Sequence, residues 1–272
     1  MVRSRRRALT AVVAGFAGVV FVLAVPASAT GSAVTDPVAP ITVLVTNDDG
    51  VRAPGIDALA RALRALPEVE VVVVAPATDQ SGVGGLRTSR PLTGDATKTV
   101  SGDAASAVFG TPADSVDYAL DVLGIHPTVT VSGINRGQNL GPSVDRSGTV
   151  GAARRSAARG VPALAVSAQH PGADYRLARK LAAAWVSEHR SELVRSSGPA
   201  SVRRQVTNLN VPTCPGSRIR GVYETVPASP DSAPTVARPV DCVSTATTYR
   251  DDVAAYNDGW ATMTLLPIAA SG

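Results

Sequence analysis

The residues best suited to chemistry form an acidic turn, Asn47-Asp48-Asp49-Gly50, directly after a short apolar run. Two neighbouring carboxylates repel each other unless protons or a cation compensate their charge, and hard divalent cations prefer such oxygen ligands. A simple Asp-Gly turn with solvated carboxylates has the same composition, so this segment alone leaves both interpretations open. The candidate chemistry is metal-assisted, with Asp48 and Asp49 as the reactive groups.

Three more polar, glycine-rich segments follow predicted strands. The first contains Ser81, the second contains Asn135 and Asn139, and the third, 147–149, opens a predicted helix. Hydroxyl and free N–H groups at a helix N-terminus bind anions, although an ordinary loop and N-cap have the same composition. Because the carboxyl ends of parallel strands face one crevice, we expect the four segments to meet there. Together they predict a site for a metal and a phosphate group.

Alternating apolar runs and amphipathic segments predict the elements that position this site. Residues 41–45 and 69–75 are typical of strands buried on both faces, and Pro54 starts the helix between them. Further strands are predicted at 128–131, 163–167, 206–211 and 260–266, and further helices at 111–123, 148–159 and 175–194. Residues 76–105 are predicted to form a long functional loop with a strand pair. The β-α-β order with short connections predicts an α/β fold with a parallel sheet covered by helices.

The first 29 residues are predicted to be a secretory signal peptide. Four arginines within positions 3–7 precede an uncharged apolar run at 11–25, and Pro26-Ala27-Ser28-Ala29 supplies a cleavage pattern. The alternative is a retained membrane anchor, but the run is short for a bilayer span. The paired arginines leave twin-arginine export open beside the general secretory route. We therefore expect a secreted or extracytoplasmic protein with no stable membrane anchor.

Charge and composition indicate the partners and the organisation of the chain after the signal. Four of the 26 Lys and Arg residues and none of the 22 acidic residues lie in the signal, so the mature chain is close to neutral. A nucleic-acid polymer is therefore not an expected partner. We expect a flexible lead-in at 30–40, a catalytic core at 41–212, and an extended arm with a terminal strand at 213–272. Cys214 and Cys242 are the only cysteines, and an oxidising compartment favours a disulfide, although their spacing alone does not decide it.

Several other catalytic patterns are absent from the sequence. It contains no GxSxG, no GxxxxGK and no complete GxGxxG motif. A haloacid-dehalogenase-type phosphatase needs a second aspartate two positions after the first, which Asp48 and Asp49 do not provide. His126 and His170 precede prolines at loop positions, which favours structural or exposed roles, and His170, just past a predicted strand, is the one that could also face the crevice.

The chain as a whole resembles the SurE family of survival-protein nucleotidases, metal-dependent phosphatases that act on nucleoside monophosphates. The matching runs occur in the family's order and register: Val43–Val51, Gly110–Asp114, Val131–Gly137, Ser147–Val150, Pro162–Ser167 and Asn208–Pro212. The similarity covers roughly residues 41–267.

The resemblance implies a Rossmann-like, doubly wound, mostly parallel sheet with a C-terminal β arm. It implies one divalent cation per subunit, Mg²⁺ or Mn²⁺. The implied metal ligands are Asp48, Asp49, Ser81 and Asn135. The implied phosphate and substrate contacts are Asn47, Asn139, Ser147, Gly148 and Thr149. A homodimer and a homotetramer both remain open.

The expected function is that of an exported 5'-nucleotidase that hydrolyses nucleoside monophosphates, or other small phosphomonoesters, by metal-activated water. The alternatives are a broad-specificity acid phosphatase or exopolyphosphatase, and a catalytically inactive exported nucleotide-binding protein. The sequence departs from the family at Arg154-Arg155, where an acidic residue is usual, and at Pro142-Ser143 and Arg146. These departures predict a more basic crevice rim.

Overall fold

The structure is a computed structural model that describes residues 38–172, 175–195, 205–229 and 239–268. The predicted signal peptide and most of the predicted lead-in, up to residue 37, lie outside the described residues. Within the described part of the chain, no helix is both long enough and apolar enough to cross a membrane.

The described residues build one nine-stranded sheet with the strand order β3-β4-β2-β1-β5-β6-β7-β9-β8. The strands are β1 Ile41–Thr46, β2 Val69–Pro76, β3 Gly94–Lys98, β4 Ala104–Val108, β5 Val129–Arg136, β6 Ala163–Ala168, β7 Gln205–Val211, β8 Val222–Thr225 and β9 Ala261–Pro267. Strand β3 is antiparallel to β4, and β9 is antiparallel to β7. The six strands from β4 to β7 in the sheet order run parallel to one another.

The chain reverses its direction of travel across the sheet between β1 and β5. From β1 it winds through β2 to β4 on one side, then returns to β5 and continues through β6 to β7 on the other. Val45 of β1 lies opposite Val73 of β2 and Val131 of β5, so β1 is central. In open α/β sheets, ligands bind outside the carboxyl ends of the strands at such a switch point.

Helices cover both faces of the sheet. They are α1 Pro54–Arg64, α2 Pro112–Asp117, α3 Gly148–Ala158, α4 Tyr175–Glu188, α5 Arg190–Val194 and α6 Asp252–Asn257. Helices α1 and α4 pack in the largest core cluster, whose sheet side chains include Val43 and Val45. Helix α3 packs in a separate cluster with Ala165 and Val206. Because successive strand residues point to opposite faces, β1 supports both helical layers.

The predicted α/β fold with a mostly parallel, doubly wound sheet is confirmed. Three expectations need adjustment. The helix predicted at 175–194 is interrupted at His189, whose ring stacks on Trp185 at 4.6 Å and whose Nδ1 lies 2.8 Å from the Trp185 carbonyl oxygen. Strand β5 extends to Arg136, into a segment predicted as loop. The predicted arm contributes β8 to the main sheet, beside the predicted terminal strand β9, and it contains α6, which was not predicted.

Candidate active site

Asp48 is held by the first turn of α3. Its side chain is buried, and Thr149 donates to it twice, from the backbone N–H to Oδ2 at 3.1 Å and from Oγ1 to Oδ1 at 2.5 Å. Gly148 permits this approach, since a Cβ there would lie 2.7 Å from Asp48 Cβ. Burial raises the pKa of Asp48 to about 6, although the Thr149 hydrogen bonds act in the opposite direction. The carboxylate is thus fixed in place, and its charge is only partly compensated.

Asp49 lies in the same bend and contacts the end of β5. Its Oδ2 accepts from the backbone N–H of Arg136, at the end of β5, at 3.0 Å. Burial raises the pKa of Asp49 and the Asp79 carboxylate adds to this, whereas the Arg136 hydrogen bond and the His170 imidazole act to lower it. His170, whose position near the crevice the sequence left open, is therefore within electrostatic reach of Asp49. This carboxylate is half-buried and borders open space.

That open space is a cavity of about 440 Å³ at the carboxyl ends of β2 and β5. Besides Asp49, its lining includes Arg52, Asp79, Arg136 and Tyr175. Arg52 and Tyr175 were not identified in the sequence. Their signal was positional: Arg52 follows the acidic turn directly, and Tyr175 is the first residue of the helix that follows β6.

Ser81 is positioned by an aspartate that the sequence did not identify. Asp79 Oδ1 accepts from the Ser81 hydroxyl at 2.6 Å and from the Ser81 backbone N–H at 2.8 Å. The Ser81 hydrogen bonds lower the pKa of Asp79, which therefore stays ionised. Because the Ser81 hydroxyl donates its hydrogen bond to Asp79, its oxygen lone pairs are available to a cation.

Two asparagines present side-chain oxygens near the carboxylates. Asn135 donates its Nδ2 to the Gly137 carbonyl at 2.7 Å, and Asn47 donates its Nδ2 to the Gly50 carbonyl at 3.0 Å. In each case the amide oxygen is the atom left for a ligand. Asn47 Oδ1 is buried with no hydrogen-bond partner among the described residues, as is Ser132 Oγ below it on β5. Buried polar atoms are seldom left unpaired, so these oxygens indicate an absent ligand or water.

The residues predicted to contact phosphate are mostly engaged in structural bonds. Ser147 Oγ caps α3 by accepting from the Val150 N–H at 3.1 Å, and the Thr149 hydroxyl is used on Asp48. Asn139 is buried and donates its Nδ2 to Ser167 Oγ at 2.9 Å. In the first turn of α3, the Gly148 N–H is the group for which the described residues offer no acceptor.

The donor set fits a hard divalent cation. It comprises two carboxylates, a hydroxyl and an amide oxygen on Asp48, Asp49, Ser81 and Asn135, and Mg²⁺ and Mn²⁺ prefer such ligands. Among the described residues, no group of three or more His, Cys, Asp or Glu side chains is arranged to hold a metal. The set is compatible with that observation, because only two of its four members belong to those residue types.

The predicted increase in positive charge at the crevice rim is wrong for the Arg154-Arg155 pair. Arg154 forms an ion pair with Asp145 at 2.7 Å, and Arg155 forms one with Asp117 at 2.7 Å. Both guanidinium charges are compensated by neighbouring carboxylates. The departure from the family pattern at these positions therefore adds two paired cations to α3.

The family assignment follows from comparison with known proteins. A family model described as "Survival protein SurE" matches residues 43–234. The chain belongs to the SurE family. A protein named 5'-nucleotidase SurE from Geotalea daltonii is 42% identical over 183 residues, covering 65% of this chain and 68% of the relative. Another protein of that name, from Geobacter sulfurreducens, is 40% identical over 210 residues, covering 74% and 73%.

A solved SurE structure carries the same fold. The crystal structure of the SurE protein from Aquifex aeolicus superimposes with a TM-score of 0.66 at 28% sequence identity, covering 85% of this chain and 95% of that one. The SurE match includes all four predicted metal ligands, since Asp48 through Asn135 fall within residues 43–234.

Proposed function

We propose that this SurE-family chain is an exported, metal-dependent phosphomonoesterase that converts nucleoside 5'-monophosphates to nucleoside and phosphate. Phosphatase activity is supported by the family and by relatives named 5'-nucleotidase at about 40% identity. The observation that carries the proposal is the placement of Asp48 and Asp49 at the β1/β5 switch point. There they lie between the N-terminus of α3 and the cavity.

Asp48, Asp49, Ser81 and Asn135 would hold the Mg²⁺ or Mn²⁺ ion. Such a cation supplies polarisation of a phosphate oxygen and a lowered pKa for a water molecule. The protein's own part is to hold Asp48 through Thr149 and to offer the Gly148 N–H to a phosphate oxygen, where charge develops during the reaction.

Asp49 is the carboxylate placed to accept a proton. Both oxygens of Asp48 already accept hydrogen bonds from Thr149, whereas Asp49 uses only Oδ2 for the Arg136 N–H and borders the cavity. Burial raises the pKa of Asp49, whereas a bound cation would lower it. In this mechanism the water attacks phosphorus in line with the departing nucleoside oxygen.

The decisive test is hydrolysis of AMP by the purified protein before and after EDTA treatment, with Mg²⁺ or Mn²⁺ restored afterwards. We expect activity to disappear with EDTA and to return with the metal, and Asp49→Asn to lose both Mn²⁺ affinity and turnover. Asp95→Asn, an exposed aspartate on the edge strand β3, is the matched control and should behave as wild type. Full turnover by Asp49→Asn with added Mn²⁺, or a trapped phospho-aspartate, would contradict the assignment.

Export is proposed from the N-terminal signal pattern and is supported by the disulfide. Cys214 and Cys242 are bonded in the structure, and such bonds persist in oxidising compartments. Expression of the full chain in a secreting bacterium, followed by N-terminal sequencing of the extracellular protein, should give a start after Ala29. A full-length product confined to the cytoplasm would contradict export.

A further inference from the structure

A buried carboxylate that the proposed mechanism does not use lies at the start of α6. Asp252 is fully buried, and its two oxygens accept backbone N–H groups from two separate segments of the chain. Oδ2 accepts from Gly141 at 3.0 Å, and Oδ1 accepts from Ala228 at 2.8 Å. Burial of a carboxyl group costs free energy unless hydrogen bonds compensate it. These two bonds therefore decide what Asp252 holds together.

Gly141 lies in a loop that connects two parts of the candidate active site. The loop comprises residues 137–147, between the end of β5 and the start of α3. The predicted metal ligand Asn135 comes just before the loop. Gly148, with its free N–H, and Thr149, which donates to Asp48, come directly after it. The course of this loop therefore sets the position of Asn135 relative to the first turn of α3.

The loop is held at two neighbouring points by two different parts of the chain. On β7, Asn210 Oδ1 accepts from the Asn139 N–H at 2.7 Å, and the Nδ2 groups of Asn208 and Asn210 donate to the Asn139 carbonyl at 2.9 and 3.0 Å. Asp252 then holds Gly141, two residues further along. The bonds from β7 fix one point on the loop, and Asp252 fixes its direction from that point towards α3.

Close packing reinforces the contact between the loop and the C-terminal segment. Leu140 is buried in a small apolar cluster with Ala228, Val253 and Tyr256. Gly141 has a φ of +48°, and a Cβ there would lie 3.1 Å from Ala228 Cβ and 3.3 Å from the Ala228 carbonyl oxygen. The loop backbone thus directly contacts the segment to which Asp252 ties it.

We propose that Asp252 is a positioning residue for the metal site. By holding Gly141 to the C-terminal segment, it fixes the loop that places Asn135 and the first turn of α3 relative to each other. The inference rests on the proposed function, since metal-dependent hydrolysis is the activity that this placement supports. It gives the C-terminal segment, which supplies none of the four predicted metal ligands, a part in that activity.

The test compares Mn²⁺ binding and AMP hydrolysis in wild type and Asp252→Asn. The asparagine keeps the shape of the side chain but replaces one acceptor oxygen with an NH₂ group, which cannot accept a backbone N–H. We expect the Kd for Mn²⁺, measured by calorimetry, to rise ~10-fold, and kcat at saturating Mn²⁺ to fall at least ~10-fold. KM for AMP should stay unchanged, because no residue of the loop lines the cavity beside Asp49.

Two controls separate positioning from a loss of stability. Tyr256→Phe removes from the same helix a buried hydroxyl that has no hydrogen-bond partner among the described residues, and it should keep wild-type kcat and Mn²⁺ affinity. Leu193→Ala leaves a cavity beside α5 in the main core, so it should lower Tm while keeping kcat and Mn²⁺ affinity.

Gly141→Ala is a second test variant that leaves Asp252 in place. Its Cβ meets Ala228 and its φ is unfavourable for alanine, so it displaces the loop and should reproduce the effects of Asp252→Asn. It carries the test whether or not Asp252→Asn folds.

Melting temperatures identify the folded variants. Wild-type kcat and Mn²⁺ affinity in folded Asp252→Asn or Gly141→Ala would overturn the proposal, and so would an equal loss of both in Leu193→Ala. If the wild type hydrolyses no AMP, the proposed function fails and calorimetry alone decides the inference. Mn²⁺ binding that is weakened by Asp252→Asn then supports it, whereas unchanged affinity, or no Mn²⁺ binding by the wild type, overturns it.

Discussion

Replacing Gly148 by alanine tests how closely α3 must approach Asp48. The added Cβ would lie 2.7 Å from Asp48 Cβ, 3.0 Å from Asp48 Oδ2 and 3.0 Å from Pro112 Cγ. Carbon atoms in ordinary contact are about 3.5–4.0 Å apart, so the first turn of α3 and Asp48 must separate by about 1 Å. Overpacking of this kind costs about 1–3 kcal/mol, which lowers Tm by a few degrees to ~10 °C in a domain of this size.

The effect on catalysis should exceed the effect on stability. A displacement of about 1 Å lengthens both Thr149 hydrogen bonds to Asp48 and moves the Gly148 N–H relative to the metal ligands. Misplacement by that distance can reduce a rate ~100-fold. We therefore expect kcat/KM for AMP to fall by about that factor in Gly148→Ala, with weaker Mn²⁺ binding measured by calorimetry.

Gly85→Ala is the matched control for this substitution. Gly85 lies in the loop that carries Ser81, but a Cβ there would meet no atom within 4 Å. Its kcat/KM and Tm should stay at wild-type values. If Gly148→Ala also keeps wild-type Tm and kcat/KM, the tight contact between α3 and Asp48 is not required for activity and the reasoning is refuted.

Three more substitutions probe other parts of the structure. Asp79→Ala removes the acceptor of both Ser81 hydrogen bonds and should weaken Mn²⁺ binding ~10-fold by calorimetry; unchanged affinity would show that Ser81 needs no such support. Burial opposes ionisation of Asp57, but the hydrogen bonds from Ser101 and Thr99 outweigh it and lower the pKa of Asp57. Ionised Asp57 therefore stabilises the fold fully above the ordinary carboxyl pKa of about 3.9, and this contribution is lost as the pH falls through the lower pKa of the folded protein. The Tm of the wild type should fall below about pH 4, and the Tm of Asp57→Asn should fall less over the same range. Curves of Tm against pH that run parallel for the two proteins would contradict this prediction. Cys214→Ser removes the disulfide bond between residues 28 positions apart and should lower the free energy of unfolding in urea by about 3–4 kcal/mol. If reductant leaves the stability of the wild type unchanged, the disulfide does not stabilise the fold.

The elements that the sequence predicts best are those with a strong local pattern. Strands β1 and β2 are short β-branched runs, with β1 and the second half of β2 buried, and α1 begins at Pro54 with its apolar residues at helical spacing. That order predicts a parallel sheet with the acidic turn at the carboxyl end of its first strand, whereas the doubly wound arrangement was implied by the family resemblance. Helix α6 was missed because six residues give too few turns for a periodic pattern, and it begins instead with a cap, Asp251, that accepts from the Ala254 N–H.

The parts of the site that the sequence could not supply depend on contacts between distant residues. Thr149 was predicted to face phosphate, but its hydroxyl donates to a carboxylate 101 positions away. Asp79 is a loop residue with no periodic environment, and its role appears only when the backbone turns its carboxylate back onto Ser81. Tyr175 becomes a cavity wall because α4 packs on α1, which no local pattern encodes.

The two adjacent aspartates lie in the bend that follows β1, and their side chains meet different partners. Asp48 meets α3, where Thr149 fixes both of its oxygens, and Asp49 meets the cavity beside α1 and α4. A single carboxylate could not both accept two hydrogen bonds from the first turn of α3 and line the cavity. In the proposed mechanism, the Asp-Asp pair therefore supplies one ligand fixed by α3 and a second, more accessible ligand at the cavity.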